Sequence, residues 1–344
     1  MKFLICVSAL SIIGSCSTLS YKEKVQNIKD NISIEQPAKI IQYANTITAS
    51  ELKTHLYKFA SEEFQGREVG SQGQKLAANY LKDYYIAQDI PSPINDTIYF
   101  QKISKDILGT EQNSSENVLA YIKGSEKPDE IIIVSAHLDH KGIDDDGNIY
   151  YGADDDGSGT VALLEMAEAF NQAKKDGFGP KRSVLFLHLT AEETGLQGSR
   201  YYVKNPVFPL TQTVSNLNID MIGRVDRYHE KNPNYIYVIG ADRLSKELHY
   251  ISDKINNTFF NIDLDYKFND ENDSNRYYFR SDHYNFASNN IPVIFYFNGE
   301  HADYHKISDT PDKIDYPLLE KRTRLIFATA WQLANQENRL RLNN

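Results

Sequence analysis

The chain has 344 residues, of which 41% are hydrophobic and 24% are charged, an ordinary balance for a globular protein. This length allows one large α/β domain or two small ones. The formal net charge of −10 argues against nucleic acid as a partner, because a nucleic-acid-binding surface needs an excess of Lys and Arg.

The N-terminus has the pattern of an export signal. Lys2 precedes the apolar run FLICVSALSIIG, which is too short to span a bilayer well. The run ends at Ile13-Gly14-Ser15-Cys16, which resembles a bacterial lipobox in which Cys16 becomes the lipidated first residue. The alternative is an ordinary signal peptide with an incidental cysteine. We predict a lipoprotein signal peptide at 1–15, export, and attachment to a bacterial membrane by lipid chains alone, facing the periplasm or the cell surface.

The rest of the chain alternates between strands and helices. A polar segment at 16–47 is predicted to be a tether with one short helix, and Thr48 and Glu51 form a capping-box pattern that opens the next helix. Further helices are predicted at 76–87, 158–173, 195–202, 243–256 and 315–335, and strands at 118–122, 131–135, 183–189, 214–219, 235–239 and 291–297. This alternation predicts a three-layer α/β/α sandwich around a mostly parallel, mixed sheet. We expect a single domain at 48–337 and a C-terminal tail at 338–344.

Polar side chains that could bind a metal follow several of the predicted strands. His137 and Asp139 follow one strand, and an acidic cluster at 154–156 comes one loop later. Ligands in α/β folds collect outside the carboxyl ends of strands, so this pattern predicts a metal site. The other candidates in the same position are Glu192, Glu193, Asp220 and His305. His188 lies inside an apolar strand and is interpreted as structural.

This combination resembles the M28 family of zinc peptidases, which are aminopeptidases with two adjacent zinc ions. The resemblance covers residues 50–335. The matching motifs, in chain order, are AHLD at 136–139, GADDDGSG at 152–159, AEETG at 191–195, NIDM at 218–221 and YH at 304–305.

The resemblance implies a ligand set for two zinc ions per chain. Asp155 would bridge the two ions, His137 and Asp220 would complete one site, and Glu193 and His305 would complete the other. Nitrogen and oxygen ligands of this kind suit Zn²⁺.

The resemblance also implies catalytic roles. Glu192 would be the general base for a metal-bridging water. Asp139 would accept the imidazole N–H of His137 and so fix its tautomer. Tyr304 would donate a hydrogen bond to the oxyanion, and its alternative role is a pocket-wall aromatic.

Three further segments carry expectations from the same resemblance. The Asp154–Asp155 peptide bond corresponds to one that is cis in the family, and Asp156 is expected to help cap the following helix. The segment 281–283 is read as pocket architecture rather than as a ligand.

The function implied is that of an aminopeptidase acting on peptides with a free N-terminus. One alternative is a glutaminyl-peptide cyclotransferase on the same fold, which works with one zinc and places a Trp before the last His. Here that position is Tyr304, and the only tryptophan is Trp331. The other alternative is a non-catalytic binding relative, although such relatives lose ligands or the base. The sequence leaves the preferred N-terminal residue and the oligomeric state open.

Overall fold

The computed structural model describes residues 20–109 and 113–343, so the predicted signal peptide and Cys16 lie outside the described residues. The chain divides into two compact units, the first ending at Ser33 and the second beginning at Ile34. The described part of the first unit contains helix α1 (Tyr21–Asn31), which opens with a capping box between Ser20 and Glu23. Among the described helices, none combines the length and the hydropathy that a membrane span requires.

The second unit contains the predicted alternation of strands and helices. Its strands are β1 (Phe100–Ile103), β2 (Ser115–Ile122), β3 (Lys127–His137), β4 (Arg182–Leu189), β5 (Thr213–Ile219), β6 (Tyr235–Ile239), β7 (Asp263–Asp265) and β8 (Val293–Phe297). Its helices are α2 (Pro37–Ala44), α3 (Ala49–Phe59), α4 (Gln72–Ala87), α5 (Lys105–Leu108), α6 (Gly159–Lys175), α7 (Gln197–Lys204), α8 (Lys246–Phe259), α9 (His283–Ala287) and α10 (Tyr316–Asn335).

These strands form one mixed sheet with the order β1-β2-β4-β3-β5-β8-β6-β7. The central strands β4, β3, β5 and β8 are parallel to one another. Antiparallel pairing occurs between β1 and β2, between β2 and β4, and between β6 and β8. The predicted mostly parallel, mixed sheet is therefore confirmed, and its parallel centre brings four carboxyl ends to one edge.

Helices cover both faces of the sheet, and β4 illustrates the arrangement. Leu185 and Leu187 pack in one cluster with Tyr202 of α7 and Phe286 of α9. Phe186, whose side chain points to the opposite face, packs on Phe170 of α6. Every residue of β4 is buried, as expected for a strand between two helical layers. The predicted three-layer sandwich is confirmed.

The structure adds two strands that the sequence analysis does not predict. Strand β7 lies in an acidic, Asn-rich segment, and β1 lies at the opposite edge of the sheet. Both are short edge strands, of three and four residues, and their burial patterns contain few buried positions. Such segments lack the apolar run that identifies a central strand.

The boundaries of the second unit are wider than the domain predicted at 48–337. Residues 34–47, which we assigned to the tether, belong to it, and Tyr43 of α2 stacks on Trp331 of α10 at 5.5 Å. The segment predicted as a tail also packs on the domain, because Arg339 donates to the carbonyl of Thr213 and Ser245 donates to the carbonyl of Arg341.

Candidate metal centre

The predicted ligands meet at the carboxyl edge of the parallel strands. His137 is the last residue of β3, and Asp220 directly follows β5. Glu193 lies in the loop after β4, and His305 lies in the loop after β8. Asp155 lies in the turn that leads into α6. Neighbouring strands therefore bring together residues that are far apart in the sequence.

One set of ligands, which we call the inner group, consists of His137, Asp155 and Asp220. These side chains offer ligand atoms that lie close enough together to hold one ion. His137 Nε2 is 3.1 Å from Asp155 Oδ1 and 3.6 Å from Asp220 Oδ1. The side chain of His137 is only 1% exposed.

A second set, which we call the outer group, consists of Asp155, Glu193 and His305. His305 Nε2 is 3.0 Å from Asp155 Oδ2 and 3.2 Å from Glu193 Oε2. The two oxygens of Asp155 thus face different groups, Oδ1 the inner and Oδ2 the outer. This is the arrangement that a bridging carboxylate requires.

The residues present fit a metal centre. His137 Nε2, Asp155 Oδ2 and Glu193 Oε1 are buried and have no hydrogen-bond partner among the described residues. Buried polar atoms without partners are costly, and a cation among them would supply the missing interaction. Imidazole nitrogens with carboxylate oxygens form a donor set that suits zinc.

The electrostatics of the outer group favour an ionised Glu193 carboxylate, whereas the His305 imidazole must release a proton when a metal binds. Burial and the nearby Asp155 carboxylate raise the pKa of Glu193, but His140 and His305 outweigh them and hold it at about 2. Burial lowers the pKa of His305, but Asp155 and Glu193 outweigh this and raise it to about 9. Glu193 is therefore a carboxylate at neutral pH, ready to bind a cation.

Glu192 lies beside both groups without belonging to either. It lines a small pocket of about 30 Å³ together with Asp155, Asp220 and His305. Burial, followed by repulsion from nearby carboxylates such as Asp220, holds the pKa of Glu192 well above its ordinary value. Cations placed among these carboxylates would offset that repulsion.

Tyr304 forms part of the same pocket. Its ring stacks on that of His305 with the centroids 3.8 Å apart. Burial raises the pKa of its phenol far above the ordinary value, so the hydroxyl keeps its proton and can act as a donor at neutral pH.

Asp139 contacts different atoms from those predicted. Nδ1 of His137 lies 3.1 Å from the main-chain oxygen of Asp139, whereas the nearest carboxylate oxygen is 3.9 Å away. The carboxylate instead accepts the backbone N–H groups of Glu192 at 3.1 Å and Glu193 at 3.4 Å. The prediction that this carboxylate accepts the His137 N–H is wrong. Its geometry orients the Glu192–Glu193 turn, while the main chain fixes the imidazole.

The acidic cluster also differs from the prediction by one residue. The cis peptide bond joins Asp155 to Asp156, so its placement at Asp154–Asp155 is wrong. Three consecutive aspartates provide no landmark for choosing between the two bonds. Asp154 instead accepts the N–H of Gly223 through its side chain. Asp156 accepts the N–H of Gly159, the first residue of α6, as its predicted capping role requires.

Several residues that position the site make contacts that were not predicted. Ser281, read as pocket architecture, donates to Asp220 Oδ2 at 2.7 Å. Asp309 accepts the backbone N–H groups of Asp154 and Asp155. The buried guanidinium of Arg67 donates to the carbonyls of Leu138, at 2.9 Å, and Gly152, at 2.8 Å, so it joins the end of β3 to the turn that carries Asp155. Each contact links segments distant in sequence, so no local pattern marks it.

Two neighbours of the outer group were also missed. Nδ1 of His140 is 2.8 Å from Glu193 Oε1, and Nζ of Lys141 is 3.3 Å from Glu193 Oε2. The signal for His140 was present, because it directly follows Asp139 at the end of the same strand.

His188 is structural as predicted, since it is buried and its Nε2 pairs with the hydroxyl of Tyr85 at 2.7 Å.

Comparison with known protein families identifies the family to which this chain belongs. The model of peptidase family M28 matches residues 117–330, which include every predicted ligand. The chain belongs to peptidase family M28. Leupeptin-inactivating enzyme 1 of Streptomyces exfoliatus is 28% identical over 273 residues, covering 78% of this chain and 52% of that protein.

The curated relatives are longer than this chain. It spans about half of leupeptin-inactivating enzyme 1, at 52%, and only 14% of the probable glutamate carboxypeptidase LAMP1 of Arabidopsis thaliana, to which it is 35% identical over 106 residues.

Solved structures of similar fold match between 83% and 98% of this chain. The LapA aminopeptidase of Legionella pneumophila is 20% identical with a TM-score of 0.69, covering 98% of this chain and 81% of that one. A zinc aminopeptidase of Bacillus subtilis is 16% identical with a TM-score of 0.64, covering 85% and 96%. A Bacteroides thetaiotaomicron glutaminyl cyclase is 17% identical with a TM-score of 0.63, covering 83% and 98%. At these identities the likeness concerns the fold alone.

Proposed function

We propose that this M28 family member is a metallopeptidase with two zinc ions that acts as an aminopeptidase. The observation that carries the proposal is the position of Asp155, which directs one oxygen to the inner group and the other to the outer group. The fold shared with an aminopeptidase of Legionella pneumophila and a zinc aminopeptidase of Bacillus subtilis supports it.

Different residues of this chain bind the metals, transfer the proton and stabilise the oxyanion. His137 and Asp220 would hold one zinc, Glu193 and His305 the other, and Asp155 both. When bound, the two ions supply Lewis-acid activation of the peptide carbonyl and of water. Glu192 takes a proton from the attacking water and returns it to the leaving amine. Tyr304, a protonated phenol in the pocket, donates a hydrogen bond to the developing oxyanion.

The lining of the pocket supports binding of an apolar side chain beside the metal centre. Its walls include the rings of Tyr277, Phe295 and Phe297 as well as Glu192 and His305. A substrate residue with an apolar side chain would therefore lie next to the base and the metal ligands. Action at a free N-terminus is proposed from the likeness to aminopeptidases of known structure.

Zinc content and substrate choice test the proposal together. We expect about two zinc ions per chain and hydrolysis of aminoacyl-nitroanilides that a chelator abolishes and added zinc restores. The matched control substrate carries an N-acetyl group, which we expect to block hydrolysis. Equal cleavage of the free and acetylated substrates would contradict aminopeptidase action.

The same experiment separates the alternatives. A glutaminyl cyclotransferase would bind one zinc and release ammonia from N-terminal Gln. That alternative is disfavoured because Tyr304 occupies the position before His305, and Trp331 is buried in the core against Tyr43 and Phe170. A binding relative would show neither zinc nor turnover.

We also propose that the protein is exported and anchored to a membrane through Cys16, on the basis of the lipobox pattern alone. Cys16→Ser should release the protein from the membrane fraction and abolish labelling by a radioactive fatty acid. Unchanged membrane attachment and labelling of the variant would contradict lipid anchoring at this residue.

A further inference from the structure

His140 is a histidine of the metal centre for which the family resemblance gives no role. It follows Asp139 at the end of β3, and its backbone N–H donates to the carbonyl of Arg67 at 3.2 Å. Its imidazole is fully buried. The ring packs directly on Gly152, where a Cβ would lie 2.5 Å from His140 Cγ. The hydrogen bond to Arg67 and the close packing on Gly152 therefore restrict the position of His140.

The ring nitrogens of His140 have no hydrogen-bond partner among the described residues. Nδ1 lies 2.8 Å from Glu193 Oε1, but the approach lacks hydrogen-bond alignment, and that oxygen is also without a partner. A buried imidazole with two unpaired nitrogens costs free energy that a ligand on one of them would recover.

The spacing of these atoms is that of ligands around one ion. Nδ1 is 2.8 Å from Glu193 Oε1 and 3.8 Å from Asp155 Oδ2. Ligands at about 2.0–2.2 Å from a tetrahedral zinc are roughly 3.3–3.6 Å apart, between the two observed values. His140, Asp155 and Glu193 together satisfy the distance requirement for one metal ion.

His305 leaves room for a second imidazole. The ring centroids of His140 and His305 are 6.0 Å apart, with the carboxylates of Asp155 and Glu193 within reach of both. Two imidazoles on one zinc have ring centres roughly 5–6 Å apart, given zinc–nitrogen distances of about 2.0–2.1 Å. The spacing of the two rings is therefore compatible with both binding one zinc.

We propose that His140 is a further ligand of the metal ion held by the outer group. The outer ion would then have two imidazoles and two carboxylates, whereas the inner ion has one imidazole and two carboxylates. Additional imidazole favours zinc over magnesium or calcium at that position. This inference rests on the proposed two-zinc function.

The test counts imidazoles directly and does not depend on activity. X-ray absorption of the wild-type protein loaded with two zinc ions should show about three imidazoles for every two zincs, because His137, His140 and His305 all bind. His140→Ala should show about two, and its affinity for the second zinc should fall by more than about 100-fold, beyond the usual effect of an indirect contact. Added imidazole should restore part of that affinity.

His140→Gln is a second variant that preserves side-chain volume, and it should also lose second-zinc affinity. His188→Gln is the matched control, since His188 is buried but pairs with Tyr85 and not with the ligands. It should bind both zincs as the wild type does.

Two results would overturn the ligand assignment. One is a wild-type protein with two zincs and only two imidazoles, even if His140→Ala weakened binding, because His140 would then act by positioning Glu193. The other is unchanged zinc affinity in both variants. Wild-type protein that binds a single zinc would refute the two-zinc function itself, and the ligand assignment with it.

Discussion

The inner and outer groups share Asp155 but are built differently. The inner ligands stand at the ends of β3 and β5, and Asp220 is fixed by a hydrogen bond from Ser281. The outer ligands stand on loops, and the side chain of His305 is 32% exposed against 1% for His137. The outer group also has a cation, Lys141, beside Glu193.

This difference predicts unequal metal binding. Ligands already held in place lose little conformational freedom when an ion binds, whereas loop ligands must be ordered. The buried His140 proposed above as a ligand reduces this difference without reversing it, so we expect a chelator to remove the outer zinc first.

The largest effect is expected from the residue that the two groups share. Asp155→Asn replaces the carboxylate that faces both groups, so both metals should be lost and activity should fall to background. Zinc content and aminoacyl-nitroanilide hydrolysis measure the two effects, with Asp144→Asn, in a surface turn, as the control. Normal zinc content in the Asp155 variant would show that Asp155 does not bridge the two metals. The inner and outer groups would then not be linked through this residue.

Glu192→Gln should separate chemistry from metal binding. Glu192 belongs to neither group, so both zincs should stay bound, while the rate should fall by about 10²–10⁴-fold because the base is removed. Zinc content and kcat on the same preparation check this. Retained turnover would remove Glu192 as the base, and loss of one zinc would place it among the ligands.

A change confined to the inner group tests the difference in zinc affinity between the two groups. Ser281→Ala removes the hydrogen bond to Asp220 and should weaken the inner zinc by about 10–100-fold, while the outer zinc is unaffected. Stepwise titration with a chelator should then show a smaller difference between the affinities of the inner and outer zinc ions.

Ser199→Ala is the matched control, because Ser199 is a buried serine that donates to Asp282 instead of a ligand. Equal weakening of both zincs in Ser281→Ala would contradict a local role for Ser281.

The inner group was easier to predict from the sequence than its surroundings. His137 and Asp220 end apolar strands, and this pattern marks a site at the carboxyl edge of a parallel sheet. The family resemblance then identified Asp155 among three aspartates. Strand periodicity likewise predicted the central sheet, whereas the edge strands β1 and β7 are too short and too polar to show that pattern.

The supporting contacts depend on tertiary structure. Nothing in the sequence near Arg67 indicates that its guanidinium reaches the carbonyls of Leu138 and Gly152, which lie more than seventy residues away. Asp139 was identified as part of the site, but the choice between its carboxylate and its carbonyl as partner of His137 depends on how the Glu192–Glu193 loop folds back. That geometry is set by packing and has no local sequence signal.

Lys141 provides the smallest expected effect and the most direct probe of the outer group. Its ammonium lies 3.3 Å from Glu193 Oε2 and so competes with a metal ion for that carboxylate. Its side chain is 32% exposed, so water and salt screen the interaction to about 0.2–1 kcal/mol. Lys141→Met should therefore bind the outer zinc about two- to fivefold more tightly at low salt, with the difference shrinking as ionic strength rises.

Lys102→Met, at an exposed position on β1, is the control and should change neither zinc affinity. If Lys141→Met instead weakened the outer zinc, the lysine would be supporting Glu193, and the loop ligands would be better ordered before binding than their exposure suggests.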